Sequence, residues 1–213
     1  RHVGIGHGIY LSKDSGSTWD DMGLNKSEHI SKIIVHPDNS NIIWVASQGP
    51  LWNSGGDRGL FMSTDGGNTW SNKLYINEWT GVTDIVIDPT NPDILYAATW
   101  QRHRNVASLI DGGPGTSIYK SIDGGNTWAE IDSGLPSSNM GKIGLAISPI
   151  KPEVIYAAIE LDRRSGAVFR SDNSGGVWRK MSNTVAGATG PHYYQELYAS
   201  PHVFDRIYLM NVR

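Results

Sequence analysis

Cysteine is absent from the 213 residues, so no disulfide and no thiolate-held metal can form. No run of 18 apolar residues occurs, and nothing in the chain reads as a membrane-crossing helix. Strong charge bias is missing too: the formal net charge is -3, and the longest basic cluster is Arg102-His103-Arg104. Nucleic acid, whose phosphates call for a basic face, is therefore not an expected partner. There is neither a Met start nor a signal-peptide pattern, and the chain reads as an internal or processed segment. Phe is scarce at 3 residues, whereas Trp numbers 8 and Gly 25. Hydrophobic residues make up 38% and charged residues 18%, which is a globular composition. Many turns combined with large flat side chains point to short strands in an all-β fold.

What the sequence does have is a repeat. Ser12-Lys13-Asp14-Ser15-Gly16-Ser17-Thr18-Trp19 recurs as Ser63 to Trp70 and as Ser121 to Trp128. A degenerate copy runs from Ser171 to Trp178, with Asn173 in place of Asp and Val177 in place of Thr. The four copies start 51, 58 and 50 residues apart. A second motif keeps step: an apolar run ends at Pro37, Pro89, Pro149 or Pro201, and a run such as Ile94-Leu95-Tyr96-Ala97-Ala98 follows it. Each unit reads as four short strands, with a Pro-Asn turn between the first two and the Asp box between the last two. A four-stranded unit at this period is the signature of a propeller blade. The expected division is a half-blade 1–27, blades 28–77, 78–138 and 139–189, and a half-blade 190–213.

The box has a mechanical reading. Asp14, Asp65 and Asp123, each two residues after Ser12, Ser63 and Ser121, are placed to accept from backbone N–H groups of a tight turn. Gly16, Gly67 and Gly125 supply positive φ. Trp19, Trp70 and Trp128 are expected to lie between neighbouring blades. Ser171, Gly175 and Trp178 carry the same roles in the fourth box. These Asp residues are read as structural, and neither a metal nor a cofactor is expected.

The Ser-x-Asp-x-Gly-x-Thr-Trp box resembles that of the Asp-box (BNR) propellers. These include sialidases, xyloglucanase-type glycoside hydrolases and the Vps10/sortilin domain. The segments Trp44 to Trp52, Gly59 to Ser63 and Ile110 to Gly115 are most similar to the bacterial sortilin-like, glycosyl hydrolase-like BNR proteins. The resemblance implies a bacterial, extracellular or periplasmic protein. The complementary half-units at the two ends leave two readings open, a closed four-bladed ring or an arc of a larger propeller. The resemblance implies the arc, completed by the rest of a parent propeller or by a second copy.

Propeller geometry puts the Asp boxes and Pro-Asn turns on one face, and the variable loops on the other, where function tends to sit. On that face the expected ligand contacts are Trp52, Arg58, Trp79, Trp100, Arg102, His103, Arg104 and Tyr193. Stacking rings beside hydrogen-bonding groups suit a peptide, protein or carbohydrate ligand. The main expectation is a secreted binding module. The alternative is a glycoside hydrolase with a carboxylate pair drawn from Glu28, Asp57, Glu78 and Asp162. A purely structural segment of a larger extracellular protein is a third reading. A sialidase is not expected, because the arginine-bearing strand of that family has no counterpart before the first box.

Overall fold

The computed structural model describes residues 4–162, 165–184 and 195–210. Among the described residues there is no helix. The first strands, β1 (Tyr10–Leu11) and β2 (Asp20–Asp21), pair only with each other. β3 (Ile30–His36), β4 (Asn39–Ser47), β5 (Gly59–Ser63) and β6 (Ser71–Leu74) form an antiparallel sheet in chain order. The next sheet takes β7 (Thr80–Ile87) and β8 (Leu95–Gln101), sets aside the small hairpin β9 (His103–Arg104) and β10 (Leu109–Ile110), and continues with β11 (Ile118–Ser121) and β12 (Ala129–Glu130). β13 (Ile143–Ile147), β14 (Ile155–Asp162), β15 (Ser165–Ser171) and β16 (Arg179–Ser182) repeat the plan. β17 (Leu197–Ala199) and β18 (Ile207–Leu209) form a last two-stranded sheet. β1–β2 and β17–β18 remain separate sheets, so the two half-units do not pair with each other here.

The second strand of each full unit reads as a continuous apolar run because the sheet has a neighbour on both faces. Trp44, Leu60 and Met62 of one sheet meet Ile85, Leu95 and Ala97 of the next. Tyr96, Ala98 and Ile118 then meet Leu145, Ile155, Phe169 and Trp178. The innermost strands β3, β7, β13 and β17 touch in that order, which fans the sheets about one axis. The all-β propeller of four-stranded antiparallel blades follows from these seams.

The boxes fasten the outer ends. Asp65 Oδ1 accepts from Thr69 N at 2.9 Å, and Oδ2 from Thr69 Oγ1 at 2.6 Å. Ser63 Oγ donates to Asp65 and accepts from Gly67 N. Asp14 and Asp123 make the same set, and these bonds hold all three carboxyls down at about 2. Asn173 keeps the bond from Val177 N, but Val177 has no hydroxyl to offer. The second, third and fourth boxes also reach the first turn of their own unit, as where Gly124 N donates to Asp93 O at 3.0 Å.

The box tryptophans differ in what they reach. Trp70 and Trp178 donate their indole N–H back to the preceding unit, at Met22 O (2.7 Å) and Ile131 O (2.9 Å). Trp128 bonds Gly125 O of its own box. Trp19, expected to lie between blades, is instead 61% exposed, and none of the sheets among the described residues packs on it.

Glycine marks where the seams are tightest. A methyl group on Gly81 would overlap the carbonyl oxygen of Gln48, and one on Gly144 that of Gln195. Gly144→Ala is therefore expected to destabilise the protein by roughly 1–3 kcal/mol or more, since backbone cannot yield as a side chain does. Chemical denaturation measures it, and an unchanged midpoint would contradict this packing.

Candidate functional site

On the face away from the boxes, two adjoining cavities of about 500 and 330 Å³ share Gln48 and Lys142. The larger lies between the Ser27–Ile30 connection and the ends of β4, β8 and β13, with Glu28, Trp100 and Arg102 on its walls. The smaller runs down the innermost strands past Lys32, Thr83, Asp84 and Glu196. Together they form a groove over the axis of the fan.

Two β-bulges shape it. Ile30 and Lys32 pair with successive residues of β4, which leaves Ser31 extra; Val82 and Asp84 do the same with β8, which leaves Thr83 extra. A bulge turns side chains that the pleat would otherwise send to the other face, and bulges are common beside functional sites. Lys32 Nζ then reaches Asp84 Oδ1 at 2.7 Å, and Asp84 Oδ2 accepts from Leu145 N at 2.8 Å. Asp84 thus ties β3, β7 and β13 together from inside the groove. Thr83 Oγ1 is buried without a partner.

Trp100 is only 2% exposed, and its indole N–H donates to Asp111 O at 3.2 Å. The guanidinium of Arg102 lies 4.6 Å from its ring centre and the ammonium of Lys142 6.0 Å. Arg102 also donates to Gln48 Oε1 and approaches Asp111 Oδ1 at 3.8 Å. Glu160, two residues before the end of β14, is 8% exposed and accepts from Lys142 N at 3.4 Å. Burial pushes its carboxyl up to about 7, the like charge of Asp111 adds to this, and the Lys142 N–H and ammonium oppose it. Burial lowers the Lys142 ammonium, while Glu196 and Asp84 pull it back up.

Of the residues singled out from sequence, Glu28, Trp100 and Arg102 come together here. Arg58 does not: it is 1% exposed and spends its guanidinium on the carbonyls of Gln48 (2.6 Å), Pro50, Asn53 (3.2 Å), Gly55 (3.3 Å) and Trp79 (3.3 Å). It organises the loop from inside, and burial lowers its pKa to about 10. Asp57 likewise caps Lys26 N at 2.8 Å. Glu78 is exposed and lines neither cavity. Trp52 pairs with Arg104 (5.3 Å), and Trp79 with His103 (4.1 Å), outside the groove. The Asp162 side chain and Tyr193 lie outside the described residues.

Lys142 and Asp84 line the groove, and Glu160 borders it through Lys142 N, but none of the three was among the site residues expected from sequence. The available signals were an Asp inside the apolar run Val82–Ile87 and a Glu closing the apolar run Ile155–Ile159.

Comparison with known proteins adds the context. No family model matches the chain. A xyloglucanase of Paenibacillus sp is 21% identical over 240 residues, covering 94% of this chain and 22% of that protein. A xyloglucanase of Hypocrea jecorina is 26% identical over 190 residues, covering 89% of this chain and 19% of its own. The crystal structure of the Niastella koreensis GH74 enzyme superposes with a TM-score of 0.69 at 17% identity, over 94% of this chain and 31% of that one. The structural likeness shows a β-propeller. An Asp-box propeller is consistent with all three. The chain spans about a fifth of the length of the two curated relatives. These relatives overturn the main expectation of a non-catalytic binding module: they are xyloglucanases, and the glycoside-hydrolase alternative fits them better.

The Glu160 geometry has a pH signature. Its folded pKa is raised, so the stability it contributes is fully present below the ordinary glutamate value and is lost as pH rises towards about 7. Glu160→Gln is expected to flatten that slope between roughly pH 4.5 and 7. Thermal midpoints across that range check it, and equal slopes in both proteins would contradict the buried, proton-holding carboxyl.

Proposed function

We propose that this chain carries part of the working face of a glycoside hydrolase acting on a xyloglucan-type polysaccharide. The observation that carries the reading is Glu160: a carboxyl 8% exposed and raised to about 7, accepting from the backbone N–H of Lys142, which lines both cavities. A group that keeps its proton at neutral pH is what a general acid needs to protonate a departing glycosidic oxygen. Glu28, on a different blade and on the wall of the larger cavity that Lys142 also lines, is the second carboxylate of the proposed pair. An open groove, rather than a closed pocket, suits a polymer that enters along its length. The xyloglucanases similar to this chain support the substrate class. An extracellular or periplasmic place follows from the reading, since a polysaccharide meets its hydrolase outside the cytoplasm.

Incubation with xyloglucan tests this directly. New reducing ends are expected to accumulate, and Glu160→Gln should slow their release on the order of a hundredfold while the polymer still binds. Absence of both hydrolysis and binding, or full activity in the Gln variant, would overturn it.

A further inference from the structure

Ser27, Glu28 and His29 are consecutive, yet all three line the larger cavity. An extended strand would send the middle side chain to the opposite face. Here His29 N donates to Ser27 O at 2.6 Å, closing a three-residue turn with Glu28 at its centre at φ 54. This is the strained, left-handed variety of that turn, which a non-glycine residue adopts only where its surroundings hold it. They do so from both sides: Gly6 N donates to Glu28 O at 2.8 Å, and Gln48 N to His29 O at 2.9 Å.

The turn delivers two polar atoms that have no hydrogen-bond partner among the described residues. Ser27 Oγ is buried without a partner, in a residue 1% exposed. His29 Nδ1 lies 3.1 Å from Gly49 O; a carbonyl only accepts, so Nδ1 carries the proton and donates. In the neutral ring Nε2 is then a bare acceptor, and it too is buried and unpartnered. Buried polar atoms without partners are uncommon in folded proteins and call for an explanation. One acceptor and one hydroxyl, able to give or take, complement two hydroxyls of a sugar ring.

We propose that Ser27 and His29 form a sugar-hydroxyl subsite at this end of the groove, holding a neutral sugar residue next to the Glu28 carboxylate. A sugar O–H donates to His29 Nε2, and Ser27 Oγ exchanges a hydrogen bond with a second hydroxyl. The inference deepens the hydrolase reading and rests on it. Both residues position the ring and take no part in proton transfer.

Titration calorimetry of the chain with xyloglucan oligosaccharides tests it, using Ser27→Ala and His29→Asn. The Asn amide can still donate to Gly49 O while the distal acceptor is gone. Each variant is expected to bind about tenfold more weakly, with a thermal midpoint equal to or above that of the parent, because an unpartnered buried group has been removed. Parent-like affinity in both variants would overturn the subsite while leaving the hydrolase reading in place. Affinity lost only together with a fall in midpoint would overturn it as well, by showing a structural role. Failure of the parent chain to bind any oligosaccharide would overturn both.

Discussion

Between each sheet and the next runs an apolar seam: Trp44 and Leu60 against Ile85 and Leu95, then Tyr96 and Ile118 against Ile155 and Trp178. A four-stranded sheet of this size has two apolar faces and cannot hide either alone. Stacking copies radially buries both, and truncating a buried side chain as large as Trp44 or Trp178 to alanine costs roughly 3–5 kcal/mol. The boxes add direction to that attraction. Through Trp70 and Trp178 they fasten a unit to the one before it, so the seam is set by hydrogen bonds as well as by shape.

The groove is a consequence of the seams. Because the sheets fan, their innermost strands converge, and side chains from β3, β7, β13 and β17 meet over the axis. Polar groups there are shared between blades: Asp84 accepts from Lys32 of one sheet and Leu145 of another. Burial at the convergence removes water from Glu160 and Lys142 and moves their proton affinities towards neutrality. Packing and chemistry are thus one arrangement, since loosening the fan would rehydrate the carboxyl on which the proposed catalysis depends.

The architecture was legible because its signals are local and repeated. The Ser-x-Asp-x-Gly-x-Thr-Trp spacing encodes a turn whose bonds close within six residues, as Asp65 with Ser63 and Thr69 shows. The groove was legible only in part. Trp100, Arg102 and Glu28 could be read from loops placed on the right face, but Arg58 looks like a ligand contact until five carbonyls are seen around it. Asp84 was passed over because it sits in a strand whose neighbours are apolar, and a bulge at Thr83 is invisible in a period-two pattern; Glu160 reads as a loop residue but belongs to β14. The strained turn at Glu28 has no sequence mark at all. Trp19 shows the converse limit: its box is intact, and only the neighbouring sheet, which sequence spacing cannot supply, decides whether it is buried.

If stability is passed from sheet to sheet through the seams, protection should fall from the centre outwards. Native-state hydrogen exchange measures this strand by strand. The account predicts the slowest exchange in β7 and β8, which have full sheets on both sides, and the fastest in β1–β2 and β17–β18. Uniform protection across all strands, or terminal strands as slow as the central ones, would contradict it.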